Sequence, residues 1–290
     1  MTTDTRPSAP PVTAEQLAAL LAAMKDSDSV ELKLTVPTGE HRATIASLPV
    51  DPVEAQPRQV FFFDTPDLAL DKAGVVVRAR RIQGGDGDTV VKLRPVVPAE
   101  LPPELRRSAS FKVEVDVLPG GIGVCSGSLK GGTSNIRIRE AIDGTRPLSK
   151  LFSKEQRAFF AQHAPAGLEL DALVPLGPTF VLKSAFKAKE LGRRVVTELW
   201  LYQDGSRILE ISTKCAPNEA FQVAAEARVY LSDHGVTVGG QQATKTRTAL
   251  EFFSKQLAAG GGARPGARRT KAEPGPAAAP DLSAEPAPAG

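Results

Sequence analysis

Five short segments of this chain, residues 30–36, 77–80, 91–94, 111–117 and 209–214, alternate charge and hydrophobe with period two. In each, the charged residues share one parity: Glu31 with Lys33, Arg78 with Arg80, Lys92 with Arg94, Lys112 with Glu114 and Asp116, and Glu210 with Lys214. A strand points successive side chains to opposite faces, so each set occupies one face and leaves the other apolar. Arginine and lysine gathered on such a face are charge-assisted donors for a polyanion. Carboxylates beside them are hard oxygen ligands for a divalent cation. A solvated strand face is the usual explanation of any single charged pair. Repetition over several strands is what favours a site.

Those side chains need a sheet to bring them together. The turn-rich stretch 83–88, Gln-Gly-Gly-Asp-Gly-Asp, predicts a hairpin between the second and third segments. Pairing Gln83 with Thr89 sets Arg80 opposite Lys92 and Arg78 opposite Arg94. Like charges facing each other cost roughly a few tenths to 1 kcal/mol per pair, so the four cations repel unless an anion sits among them or the face is open to water that screens them. Thr13 to Gln16 reads as a capping box, followed by Leu17, Leu20, Leu21 and Met24 at helical spacing. A buried strand ends near Phe63, a helical turn covers 68–74, and a proline-rich connection covers 95–103. Ser153 to Gln156 caps a helix running through Phe160. Strands are predicted at 180–189, 193–203 and 207–214, and helices at 217–234 and 244–259. Many antiparallel strands with helices in the connections argue for an α+β fold built on a large antiparallel sheet or barrel. The glycine-rich stretch 120–132 is the least legible. Its Ser128 to Thr133 portion lacks Gly-Lys directly before Ser or Thr, and no helix pattern follows, so it is not read as a phosphate loop.

The remaining composition narrows the classes. A chain of 290 residues that is 41% hydrophobic holds one large domain or two small ones. Its net charge of +3 is too small to imply a nucleic-acid partner. Cys125, Cys215 and the scattered His41, His163 and His234 form neither a zinc signature nor a disulfide framework. There is no apolar run of spanning length and no signal-like start, which predicts a soluble, cytoplasmic protein without a membrane partner. Residues 1–12 and 260–290 cannot bury a core and are expected to be disordered, leaving a folded domain over 13–259. Arg264, Arg268, Arg269 and Lys271 read as a solubilising tail.

The run from Phe63 to Arg81, together with Val91-Lys92-Leu93-Arg94, resembles the CYTH domain of the triphosphate tunnel metalloenzyme superfamily. The resemblance extends more thinly from about Asp28 to about Phe253. It implies an eight-stranded antiparallel β-tunnel with flanking helices, whose lumen binds a triphosphate and Mg²⁺ or Mn²⁺. The family's opening Glu-x-Glu-x-Lys motif falls on Ser29, Glu31 and Lys33, and its late acidic strand on Glu210, Ser212 and Lys214, so each motif has serine in place of one glutamate. Arg78, Arg80, Lys92 and Arg94 match phosphate-binding cations, Lys183 matches more softly, and Glu114 matches a central acidic strand. Lys245-Thr246-Arg247 is similar to a C-terminal basic element.

The resemblance implies a metal-dependent triphosphatase. Glu31, Lys33, Glu114 and Glu210 would be its catalytic residues, and Arg78, Arg80, Lys92, Arg94, Lys183 and Lys214 would bind substrate. Glu31, Glu198 and Glu210 would hold the metal. Phosphoryl transfer asks a protein mainly for positioning and charge stabilisation, which this set could supply. The alternatives are a tunnel that binds polyphosphate or a nucleotide with weak or no catalysis, which Ser29 and Ser212 favour, and an adenylyl cyclase of the same fold. Asp116, Lys112 and Lys214 stand evenly between lumen and surface.

Overall fold

The computed structural model describes residues 13–238 and 245–259. The expected disordered ends and the basic tail lie outside these residues. Nine strands are described: β1 (Ser29–Val36), β2 (Gln56–Asp64), β3 (Val75–Ile82), β4 (Gly87–Leu93), β5 (Phe111–Leu118), β6 (Ile122–Thr133), β7 (Val174–Ala188), β8 (Arg193–Leu201) and β9 (Arg207–Cys215). They close into one barrel in the order β1-β5-β6-β4-β3-β2-β7-β8-β9. Around it lie α1 (Ala14–Lys25), α2 (His41–Ser47), α3 (Ala69–Lys72), α4 (Pro103–Arg106), α5 (Asn135–Ile142), α6 (Lys154–His163), α7 (Ala220–Asp233) and α8 (Lys245–Ala259).

The expected barrel is present with two differences from an eight-stranded antiparallel tunnel. There are nine described strands, and β1 pairs with β5 in parallel while every other neighbour is antiparallel. Asp28 pins the parallel seam. Its carboxylate accepts from the Val113 amide at 2.7 Å and from Arg106 at 3.3 Å. The strand missing from the sequence reading is β6. Its glycines remove the side-chain alternation that marks a strand, and three of them, Gly123 against Leu20 as well as Gly127 and Gly131, are there for space. A Cβ on Gly127 would come within 2.6 Å of the Phe111 ring, and one on Gly131 within 2.7 Å of Gln156. A helix does follow this stretch, with Ser134 capping α5, but Lys130 lies within β6 and not in a loop.

The hairpin forms in a different register. Arg80 faces Asp88, Arg78 faces Val90 and Lys92 faces Val76. The turn is therefore tighter than predicted, and Arg80 meets a carboxylate where the expected pairing set it against Lys92. Asn135 fixes the turn by accepting from the Ile82 amide at 3.0 Å and donating to the Ile82 and Gly85 carbonyls. Gly87 allows the close approach, since a Cβ there would stand 2.5 Å from Ile138. The offset is even, so the four cations keep their common face.

The apolar parity of most strands faces outward beneath the helices. Val30, Val77, Val91, Phe111, Val113 and Val115 pack with Leu20 and Met24 of α1, Ile138 of α5 and Phe159 and Phe160 of α6. Leu34, Val36, Leu209 and Ile211 pack with Tyr230 and Leu231 of α7. Each such buried side chain contributes about 1.5–3 kcal/mol. Both predicted capping boxes form, at Thr13/Gln16 and Ser153/Gln156. Gln156 does more than cap: its side chain donates to the Thr89 and Leu129 carbonyls and accepts from the Thr89 hydroxyl, tying α6 to β4 and β6. A third cluster lies inside the barrel. Val60, Phe62, Leu176, Val181 and Trp200 share the parity of the charged residues and fill one end of the interior against Ala249, Leu250 and Phe253 of α8.

Candidate functional site: a charged barrel lumen

Strand register brings the predicted residues onto one interior surface. Glu31 and Lys33 of β1 stand beside Lys214 and Ser212 of β9 on one side, and Glu31 stands beside Asp116 of β5 on the other. Arg78 and Arg80 of β3 share their face with Lys92 of β4, and Lys183, Glu198 and Glu210 follow one another across β7, β8 and β9. Ser29 faces Glu114 and Ser212 faces Lys33, so both serines sit among these charges. Lys112 shares the interior parity but is exposed.

Three ion-pair groups hold the lumen together. In the first, the Lys33 ammonium lies 2.9 Å from Asp116 and 3.4 Å from Glu31, and Arg94 approaches Asp116 at 3.5 Å. Burial pulls Lys33 down, but Asp116, Glu31 and Glu210 outweigh it and hold its pKa above the ordinary value. Burial raises Asp116, and Lys33 and Lys92 more than reverse this, bringing it from 3.8 to about 2. In the second group, Glu114 pairs with Lys214 and lies 3.7 Å from Lys130, while Lys214 stands 3.9 Å from Glu31. In the third, Lys245 of α8 reaches in between Glu198 at 2.8 Å and Glu210 at 2.6 Å, and Lys183 adds a contact to Glu198 at 3.4 Å. Burial opposes ionisation of Glu198, yet Lys245 and Lys183 hold its pKa well below the usual carboxylate range. Arg80 is paired separately, its Nε donating to Asp88 at 2.9 Å.

Some lumen cations are left without an acid: Arg58 is held instead by the Gln56 side-chain oxygen at 2.6 Å, and two more have less. Among the described residues, Arg78 and Lys92 have no carboxylate within ion-pair distance, and the buried Arg78 Nε has no acceptor. Burial, with Arg80 close by, brings Arg78 from 12.5 down to about 10. Burial, reinforced by Lys33, Arg94 and Arg78 against the pull of Asp116, brings Lys92 from 10.5 down to about 8. A charge kept in such a place without a partner is costly, and an anion between the two would relieve it. At the opposite end from the apolar plug, a cavity of about 440 Å³ lined by Glu31, Lys183, Arg194, Ser212 and Lys214 opens the lumen to solvent.

The structure also adds residues that the sequence reading passed over or left undecided. Asp116 is the buried hub of the first group and shares its parity with Glu114 in the sequence. Lys245 stood in a recognised motif without a role. Arg58 lies at the inward parity of β2 with Val60 and Phe62, and Asp88 at that of β4 with Lys92, each outside the five charged segments. The inward placement of Trp200, whose Nε1–H donates to Glu198 at 3.2 Å, had no sequence signal.

The residues expected to hold Mg²⁺ or Mn²⁺ do not fit such an ion in this arrangement. Glu198 and Glu210 are directly opposed but enclose an ammonium, and Glu31 is turned to Lys33 and Lys214. Among the described residues, no group of three or more His, Cys, Asp or Glu side chains could hold a metal.

No protein-family model matches the chain, and a search of curated proteins finds no match. Solved structures do match. HpAC1 from Hippeastrum, named as a candidate adenylyl cyclase and described as having a dominant triphosphatase activity, aligns over 77% of this chain and 95% of its own, with 16% identity and a TM-score of 0.59. A candidate adenylate cyclase from Bacillus halodurans aligns over 76% of this chain and 97% of its own, with 12% identity and a TM-score of 0.53. Among the described residues, no helix is long and apolar enough to cross a membrane. The closed barrel, its inward-facing charged strands and these two likenesses give the chain the CYTH, or triphosphate tunnel, fold.

Proposed function

We propose that this protein binds a triphosphate or longer polyphosphate, free or carried on a nucleotide, inside its barrel, with little or no metal-dependent turnover. The observation that carries this reading is the pair Arg78 and Lys92, cations without carboxylate partners in a lumen where the acids are taken by lysines. Arg80 lies near Arg78 and Arg94 near Lys92, and with Lys183 and Lys214 of the same lumen they can exchange part of their carboxylate contact for phosphate oxygens. Guanidinium forks suit non-bridging oxygens, and ammonium groups supply point charge. Calorimetric titration with tripolyphosphate, ATP and sulfate tests the reading. Tripolyphosphate should bind well above sulfate, and Arg78→Ala with Lys92→Met should abolish the difference. Equal, weak binding of all three anions would refute it.

Metal-dependent hydrolysis is the second reading, favoured by the triphosphatase activity described for HpAC1. It predicts phosphate release from tripolyphosphate, thiamine triphosphate or nucleoside triphosphates on addition of Mg²⁺ or Mn²⁺. A cyclase reading ranks behind it because no adenine-recognition feature is visible in the sequence. Detection of cyclic AMP from ATP would reverse that order.

A further inference from the structure

The third ion-pair group is built in an unusual way. Glu198 and Glu210 are cross-strand partners with their carboxylates on one face, where like charges repel. What separates them comes from outside the sheet. Lys245, the first residue of α8, places its ammonium 2.8 Å from Glu198 Oε2 and 2.6 Å from Glu210 Oε1. That ammonium also lies 4.9 Å from the centre of the Trp200 ring, and Trp200 Nε1–H supplies a further donor to Glu198 Oε2. The other oxygen of Glu198 meets Lys183 at 3.4 Å. The helix is held in place by its apolar face in the barrel end and by the Tyr202 hydroxyl, which donates to the Lys245 carbonyl.

We propose that Lys245 is a resident cation, standing where opposed carboxylates would otherwise recruit a divalent ion, so that the lumen takes its polyanion without metal. Two ammonium groups, from Lys245 and Lys183, bring to Glu198 and Glu210 the positive charge that one divalent cation would bring. They arrive already tethered, so the protein forgoes the loss of freedom that capturing an ion entails. A metal would have to displace Lys245 and strand its ammonium beside Trp200, away from water. The polyanion part of this inference rests on the lumen-binding reading above; the cation part does not.

The test has two arms on the full-length protein. In the first, Mn²⁺ alone is titrated and followed by electron paramagnetic resonance. Wild type should show no tight site, whereas Lys245→Ala should gain at least about tenfold in Mn²⁺ affinity, because opposed carboxylates are now free. If Lys245→Ala folds only in the presence of Mn²⁺, that too supports the inference. Lys245→Ala combined with Glu210→Gln should lose the gain, and retention of Mn²⁺ binding there would overturn the assignment. In the second arm, tripolyphosphate binding is measured with EDTA and with Mn²⁺. Wild-type affinity should be the same within about tenfold, and that of Lys245→Ala should become metal-dependent. Tight Mn²⁺ binding by wild type in the first arm would overturn the inference. Absence of tripolyphosphate binding in both conditions would refute the lumen reading while leaving the Mn²⁺ result to decide the role of Lys245.

Discussion

Replacing Lys92 by methionine should make this protein more stable and worse at binding. Lys92 sits partly buried among Lys33, Arg94 and Arg78, and its pKa is depressed from 10.5 to about 8. At pH 7 both the folded and unfolded chains carry the charge, and the folded chain bears the cost of housing it. A depression of that size corresponds to about 3 kcal/mol, and partial exposure brings the expected effect nearer 2 kcal/mol. Because the folded pKa lies below the unfolded one, the folded state sheds its proton first. Stability should therefore rise with pH between about 8 and 10.5 on account of this group. Lys92→Met keeps the length of the side chain and removes the charge. Urea denaturation at pH 7 should show it about 2 kcal/mol more stable than wild type, with the difference fading as the pH approaches 10. Binding should move the other way. Tripolyphosphate would raise the Lys92 pKa, and above pH 8 the amine must take up a proton for the anion to bind, so wild-type affinity should fall there, and the variant should bind at least about tenfold more weakly at pH 7. A variant that is less stable than wild type, or that binds tripolyphosphate undiminished, would refute the reasoning.

Three further outcomes follow from the same geometry. Asp116→Asn should cost about 2–4 kcal/mol at neutral pH, since it leaves Lys33 and Arg94 without their buried carboxylate, yet it should tighten tripolyphosphate binding. The Asp116 pKa is lowered to about 2, so its stabilisation is present above pH 3.8 and is lost as pH falls toward 2; acid titrations of wild type and variant should converge there. Arg80→Ala strands the half-buried Asp88, so it should lower both affinity and melting temperature, unlike the removal of an uncompensated cation; unchanged stability by thermal denaturation would show that the pair is not maintained in solution. Gly127→Ala should cost about 1–3 kcal/mol in denaturant titrations by driving a methyl group into the Phe111 ring, and a neutral effect would mean that the ring moves freely.

Much of the site was legible because period-two alternation is a local property. The charged parity of segments 30–36, 77–80, 91–94, 111–117 and 209–214 fixes which side chains share a face, and the structure keeps every one of those faces. The capping residues Thr13 and Ser153 mark their helices for the same reason, since an N-cap satisfies its own first turn. Register is different. Any even offset of β3 against β4 preserves the faces, so the sequence pattern could not choose between Arg80 opposite Lys92 and Arg80 opposite Asp88. Asn135, 53 residues away from Ile82, makes that choice through the turn. Strand β6 was hidden because its glycines answer to Phe111 and Gln156, partners in other elements.

The sequence by itself thus determined that a cationic face mixed with carboxylates would exist, and which residues of the five alternating segments would share it. Only the tertiary structure decided how those charges pair. Lys245 comes from the far end of the chain to divide Glu198 from Glu210, while Arg78 and Lys92 are left without acids. The physical reason is range: side-chain direction along a strand follows from the backbone of that strand alone, whereas a Coulombic partner is set by whichever distant element closes the barrel around it.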